Sequence, residues 1–129
     1  MSDSPNVALV KKHLAGFLDV DKFIEDFEET MAPNIRWTNT GFPDAKGIEA
    51  ARATLKAWAD GFGMGSIKID YLNIAEDGNK VFTERMDYIR DKQGNDMIVA
   101  PTMGIFEIEN GKIFEWRDYF DSHTMQVQG

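Results

Sequence analysis

The stretch GIFEIENGKIFEWRDYFD, residues 104–121, decides how the chain is to be read. Asn110-Gly111 sits between two runs rich in aromatic and branched residues. Asn-Gly is the strongest short signal for a two-residue hairpin turn. The flanking runs are therefore two antiparallel strands, about 97–109 and 112–121. Side chains alternate along a strand. Phe114, Trp116, Asp118 and Phe120 then share one face, and Ile113, Glu115, Arg117 and Tyr119 share the other. The aromatic face points inward and takes Asp118 with it. A lone buried carboxylate costs several kcal/mol or takes up a proton, so Asp118 needs a partner.

Two more strands precede this hairpin, at about 66–75 and 80–90, joined by the turn EDGN (76–79) and followed by DKQGND (91–96). In VFTERMDYIR, residues 81–90, one face carries Val81, Thr83, Arg85, Asp87 and Ile89. Both faces of that strand are mixed, so alternation alone does not say which is inward. If the Arg85 face is, Arg85 can pair with Asp118, and Asp87 lies beside it two residues along.

Upstream, the chain reads as helical. Ser4 can cap a first helix with Pro5 at its first position, and Val7, Val10, Leu14 and Phe17 recur at helical spacing. DVDKFIEDF (19–27) reads as a short second helix. A third covers about 47–61, with Ile48, Ala51, Leu55 and Trp58 on one face and the glycines of GFGMG (61–65) as its stop. Between them NIRWTNT (34–40) reads as a short extended segment and GFPDAKG (41–47) as a loop. Helices followed by an antiparallel meander make an α+β fold. A curved sheet wrapped over the helices encloses a cavity.

Composition sets the outer limits. The 129 residues fit one domain, and 43% hydrophobic content is enough for a core. A net charge of −8 argues against nucleic-acid binding. No polybasic segment or long apolar run argues for a membrane, and MSDSPNVALV does not read as a signal peptide. The absence of cysteine removes thiolate catalysis, disulfides and cysteine metal sites, and fits a cytoplasmic location. His13 and His123 lie far apart in sequence, so no metal site is expected. His13 reads as structural and His123 as solvated. EDFEET (25–30) reads as a solvated helix face.

An arginine between two carboxylates supports two readings. One is a buried ion pair that fixes strand register. The other is a general acid–base pair, because one guanidinium cannot fully neutralise two close carboxylates and one of them keeps a proton.

ERMDYIR (84–90), followed by GKIFEWRDYFD (111–121), resembles the limonene-1,2-epoxide hydrolase family. The wider setting is the nuclear-transport-factor-2-like superfamily, which also holds SnoaL-like cyclases and ketosteroid isomerases. The resemblance implies a cone-shaped fold, with N-terminal helices packed in a curved mixed or antiparallel sheet around a pocket. It implies a single domain over 1–129 and a homodimer formed through the sheet, for which Tyr119, Ile113 and Met86 are candidate contacts. It assigns Asp118 as the base that deprotonates water, Asp87 as the acid that protonates the epoxide oxygen, and Arg85 as the bridge between them. No cofactor is needed, and the substrate is a small apolar epoxide, terpene-like or alicyclic. The family's water-holding Tyr-x-Asn matches WTN (37–39). Asn39 is kept, and Trp37 replaces the tyrosine with a group that donates a hydrogen bond but accepts none.

Trp116, Phe120, Met103 and Phe106 are candidate pocket walls, as are Trp37 and Trp58, and Met64, Met97 and Met125 suit the same surroundings. Two other functions fit the same residues. An isomerase or cyclase would use Asp118 or Asp87 to take a proton from carbon, with Tyr71, Tyr88 or Tyr119 available for an oxyanion. A small-molecule binding protein would keep the pocket without turnover.

Overall fold

The computed structural model describes residues 3–125, and the side chains of Thr124 and Met125 lie outside the described set. The helices come first. α1 (Pro5–Ala15) starts where Ser4 accepts a hydrogen bond from the Val7 amide at 3.1 Å, and it buries Val10, His13 and Leu14. α2 (Val20–Glu25) is capped by Asp19 and followed by a 3₁₀ turn at Phe27–Glu29. α3 (Ile48–Phe62) buries Ile48, Ala51, Leu55, Trp58 and Ala59, the single apolar stripe seen in its sequence. It ends at Gly63, whose φ of 73° is the left-handed conformation that a glycine C-cap supplies.

Six strands form one sheet in the order β2-β1-β6-β5-β4-β3. They are β1 (Met31–Asn39), β2 (Ala45–Lys46), β3 (Met64–Asp77), β4 (Lys80–Asp91), β5 (Asp96–Glu109) and β6 (Lys112–Tyr119). β3 to β6 are the expected antiparallel meander, and Asn110 and Gly111 both have positive φ at the β5–β6 turn. The α+β class therefore stands, and the sheet is curved and unclosed.

The extended segment near residue 34 proves to be a full strand. β1 runs parallel to β6, with Trp37 opposite Trp116 and Asn39 opposite Asp118. The loop around residue 45 contributes β2, paired with β1 through Arg36–Lys46 and Trp37–Ala45. A parallel partner so far away in sequence has no local turn signal to announce it. On β4, Val81, Thr83, Arg85, Asp87 and Ile89 are the buried face.

β6 departs from strict alternation. Glu107 pairs with Glu115 and Ile108 with Ile113, so Phe114 is the extra residue of a bulge. The bulge turns Ile113 inward, fully buried, and leaves Phe114 only partly buried. Ile113 is thus a core residue and not the outer-face contact its position suggested. Tyr119 stays on the outer face, and Met86 is partly buried. His13 is fully buried and shares a 2.6 Å hydrogen bond between Nδ1 and Thr30 Oγ1, as a structural histidine should; His123 is exposed. No described helix is long and apolar enough to cross a membrane.

Candidate active site

Three neighbouring strands bring the predicted charged set together. Arg85 on β4 is 1% exposed. Its Nε and Nη2 donate to Asp87 Oδ1 and Oδ2 at 3.0 and 2.8 Å, a two-pronged pair along one strand. Its Nη1 donates to Asp118 Oδ1 on β6 at 3.2 Å and to Thr83 Oγ1 at 3.1 Å. The Thr83 hydroxyl donates onward to the Gly104 carbonyl at 3.2 Å. The planar fork of arginine suits this, since it can serve both carboxylates without moving.

β5 lies between β4 and β6, and the residue it places between the two charged strands is Gly104. Gly104 faces Thr83 on one side and Asp118 on the other. A Cβ there would collide with Arg85 Nη1 and lie 2.6 Å from Asp118 Oδ1 and 2.9 Å from Thr83 Oγ1. Glycine is what lets the guanidinium reach across β5. Neither Thr83 nor Gly104 stood out in the sequence. The sequence carried no direct signal for Gly104: strict counting from the Asn110-Gly111 turn sets residue 104 opposite Arg117, and only the bulge at Phe114 moves it beside Asp118.

The electrostatics follow from burial. Burial raises the Asp118 pKa above the ordinary carboxylate range. The Arg85 charge opposes that rise and the Asp87 charge adds to it. The Trp116 indole N–H works weakly with Arg85 from an approach that falls short of hydrogen-bond geometry. Burial also works against the Arg85 charge, but attraction from Asp118 and Asp87 outweighs it and raises the Arg85 pKa.

Above the charged set lies a small cavity of about 30 Å³. Asp118, Asp87, Asn39 and Thr102 supply its polar lining, and Phe17, Trp37, Trp58, Met64, Ile67, Ile89, Ala100 and Phe120 its apolar walls. Both carboxylates of the set thus meet one space, with Asn39 beside Asp118 in the β1–β6 ladder. The Trp37 ring also lines it, while its Nε1 is buried with no hydrogen-bond partner among the described residues.

The predicted walls divide. Phe120 lines the cavity. Met103 does not, because the Gly104 face of β5 points inward and leaves Met103 on the opposite face, 46% exposed. Phe106 and Trp116 are fully buried core beneath the cavity and are not part of its lining. Trp116 stacks on Trp37 at 4.3 Å and so holds a wall in place. Met64 is a wall and Met97 is partly buried against the core. None of Tyr71, Tyr88 and Tyr119 lines the cavity. Among the described residues no cluster of three His, Cys, Asp or Glu side chains could hold a metal ion.

Comparison with known proteins identifies the family and the fold. The chain matches the limonene-1,2-epoxide hydrolase catalytic domain family over residues 5–128. It is 30% identical to epoxide hydrolase EphG of Mycobacterium tuberculosis over 110 residues, 78% of this chain and 66% of that protein, just under two thirds of its length. Among solved structures, an epoxide hydrolase from M. tuberculosis similar to limonene-1,2-epoxide hydrolase superposes with a TM-score of 0.75 at 23% identity, covering 94% of this chain and 81% of that one. A Jannaschia protein assigned as a SnoaL-like polyketide cyclase superposes with a TM-score of 0.77 at 20% identity, covering 97% and 94%. At such identities the likeness is one of fold, the nuclear-transport-factor-2-like fold.

Proposed function

The chain belongs to the limonene-1,2-epoxide hydrolase family, and on that premise we propose that it is a cofactor-independent epoxide hydrolase acting as one catalytic domain. The observation that carries this reading is the reach of Arg85 to two buried carboxylates that face the same cavity. Two close carboxylates on one guanidinium titrate as a coupled pair, and on the family's example Asp118 acts as the base and Asp87 as the acid.

A water beside Asp118 and Asn39 attacks one epoxide carbon. The new carbon–oxygen bond forms as the ring carbon–oxygen bond breaks. The water gives a proton to Asp118, and Asp87 gives one to the departing ring oxygen. The product is a vicinal diol, and passage of one proton from Asp118 back to Asp87 restores the site. Each well-placed transfer is worth about 100- to 10,000-fold in rate. The apolar walls strengthen both by keeping bulk water out.

Trp37 stands where the family's tyrosine would help hold the water. An indole N–H cannot accept a proton from water, so the acceptors left for the nucleophile are the Asp118 carboxylate and the Asn39 carbonyl. The isomerase reading is disfavoured because no tyrosine lines the cavity to receive an enolate oxygen. We place the protein in the cytoplasm because its lack of cysteine fits a reducing compartment, and give it a homodimeric state on the family's example alone. Diol formation from a panel of epoxides in oxygen-18 water tests the reading, and its failure across the panel removes it.

A further inference from the structure

The cavity is too small for what the family name suggests. Its volume is about 30 Å³, whereas pockets for drug-sized ligands run from roughly 300 Å³ upward. A single water takes about 10–15 Å³ on this measure, so the attacking water already claims a large share.

The walls that take up the space are braced by other rings. Trp37 lies flat on Trp116 at 4.3 Å, with only 11° between the planes. Trp58 meets Trp37 edge-on at 5.2 Å and is itself backed by Phe42 at 5.2 Å. Trp37 and Trp58 are 1% and 8% exposed. Away from the cavity both are backed by rings, and close-packed rings displace one another only at a cost of a few kcal/mol. Phe120 differs. It is partly exposed, and its nearest ring, Phe42, is 6.5 Å away.

Resting on the epoxide-hydrolase reading, we infer that the substrate is a short-chain aliphatic epoxide of about three to five carbons, and that Trp37 and Trp58 exclude terpene-sized rings. The epoxide oxygen meets Asp87, the attacked carbon faces Asp118, and the short alkyl group lies against Trp58 and Ile89. Two tryptophans at these positions act as specificity-determining residues and take no part in the proton transfers.

The test compares kcat/KM for propylene oxide, 1,2-epoxybutane, cyclohexene oxide and limonene oxide in the wild type, Trp58→Ala and Phe120→Ala. The wild type should favour the first two over limonene oxide by at least about 100-fold, the order expected when a bulky group must be forced into a narrow apolar site. Trp58→Ala should narrow that ratio at least about tenfold, and Phe120→Ala, which trims a partly exposed wall, should narrow it less. Equal wild-type rates for large and small epoxides, or an unchanged ratio in both variants, overturns the size limit. Binding of the matching diols, followed by the NMR shifts of the indole N–H groups, separates the two ideas. Size-graded binding with no turnover of any epoxide sinks the hydrolase reading and keeps the size limit. Equal binding of large and small diols, or binding of neither, sinks the size limit itself.

Discussion

Gly104 and Asp118 face each other across the β5–β6 ladder, and a Cβ on Gly104 would lie 2.6 Å from Asp118 Oδ1. The missing side chain is the space through which Arg85 reaches its second carboxylate. Gly104→Ala should therefore break the Arg85–Asp118 contact while leaving the Arg85–Asp87 pair intact. Overpacking of this kind costs about 1–3 kcal/mol. We expect a lowered unfolding midpoint and a loss of at least about 100-fold in kcat, read by thermal unfolding and initial rates on the same preparation.

Arg85→Lys keeps the positive charge and loses the fork. An ammonium cannot serve Asp87 with two parallel bonds and reach Asp118 as well. Removing or misplacing one partner of a buried charge set costs about 3–5 kcal/mol. Denaturant unfolding should show a loss of that order for Arg85→Gln and a smaller one for Arg85→Lys, with both variants inactive. Retained activity in Arg85→Lys would mean that a point charge is sufficient.

The raised pKa of Asp118 fixes the direction of two pH effects. As a base it works only when ionised, so kcat/KM should rise with pH along a limb whose midpoint lies above the ordinary carboxylate range. Stability runs the other way. Between the unfolded and folded pKa values the native state holds more protons, so the contribution of this group to stability falls as pH rises through that window. Asp118→Asn removes the group, and the difference between variant and wild type in pH-dependent unfolding should grow in the variant's favour over the same interval.

The buried His13 titrates in the opposite sense. Burial, and to a lesser extent Arg85, lowers its pKa from 6.5 to about 3. The unfolded chain then binds the extra proton first, and stability should fall as pH drops from 6.5 towards 3. The slope approaches about 1.4 kcal/mol per pH unit for a single group. Equilibrium unfolding at several pH values checks this. A His13→Gln variant should lose that component of the slope.

Much of the fold was legible because its signals are local. Ser4-Pro5, the α3 stripe, Gly63 and Asn110-Gly111 each declare an element within a few residues. β1 was read as a mere extended segment because its partner, β6, lies about eighty residues away, and parallel pairing leaves no turn to read. The triad was legible because a carboxylate on an aromatic strand face demands a partner. Met103 suits a pocket by residue type, and strict counting from the hairpin turn also sets it opposite Asp118; the bulge at Phe114 puts Gly104 there instead and turns Met103 outward. Ile113 was misplaced because strict alternation takes no account of the bulge at Phe114. Pocket size was not legible at all. Trp37, Trp58 and Phe120 each suit a wall or a core, and only their mutual stacking decides how much space remains.

Hydrolysis of a short-chain epoxide in oxygen-18 water by the wild type, Asp118→Asn and Asp87→Asn tests the roles of the two carboxylates. The wild type should give a diol labelled in the first turnover, with no label entering the protein. Both substitutions should then lower kcat/KM by at least about 100-fold with the fold retained. Label appearing first in an Asp118 or Asp87 carboxylate, or full activity in either variant, would contradict those roles.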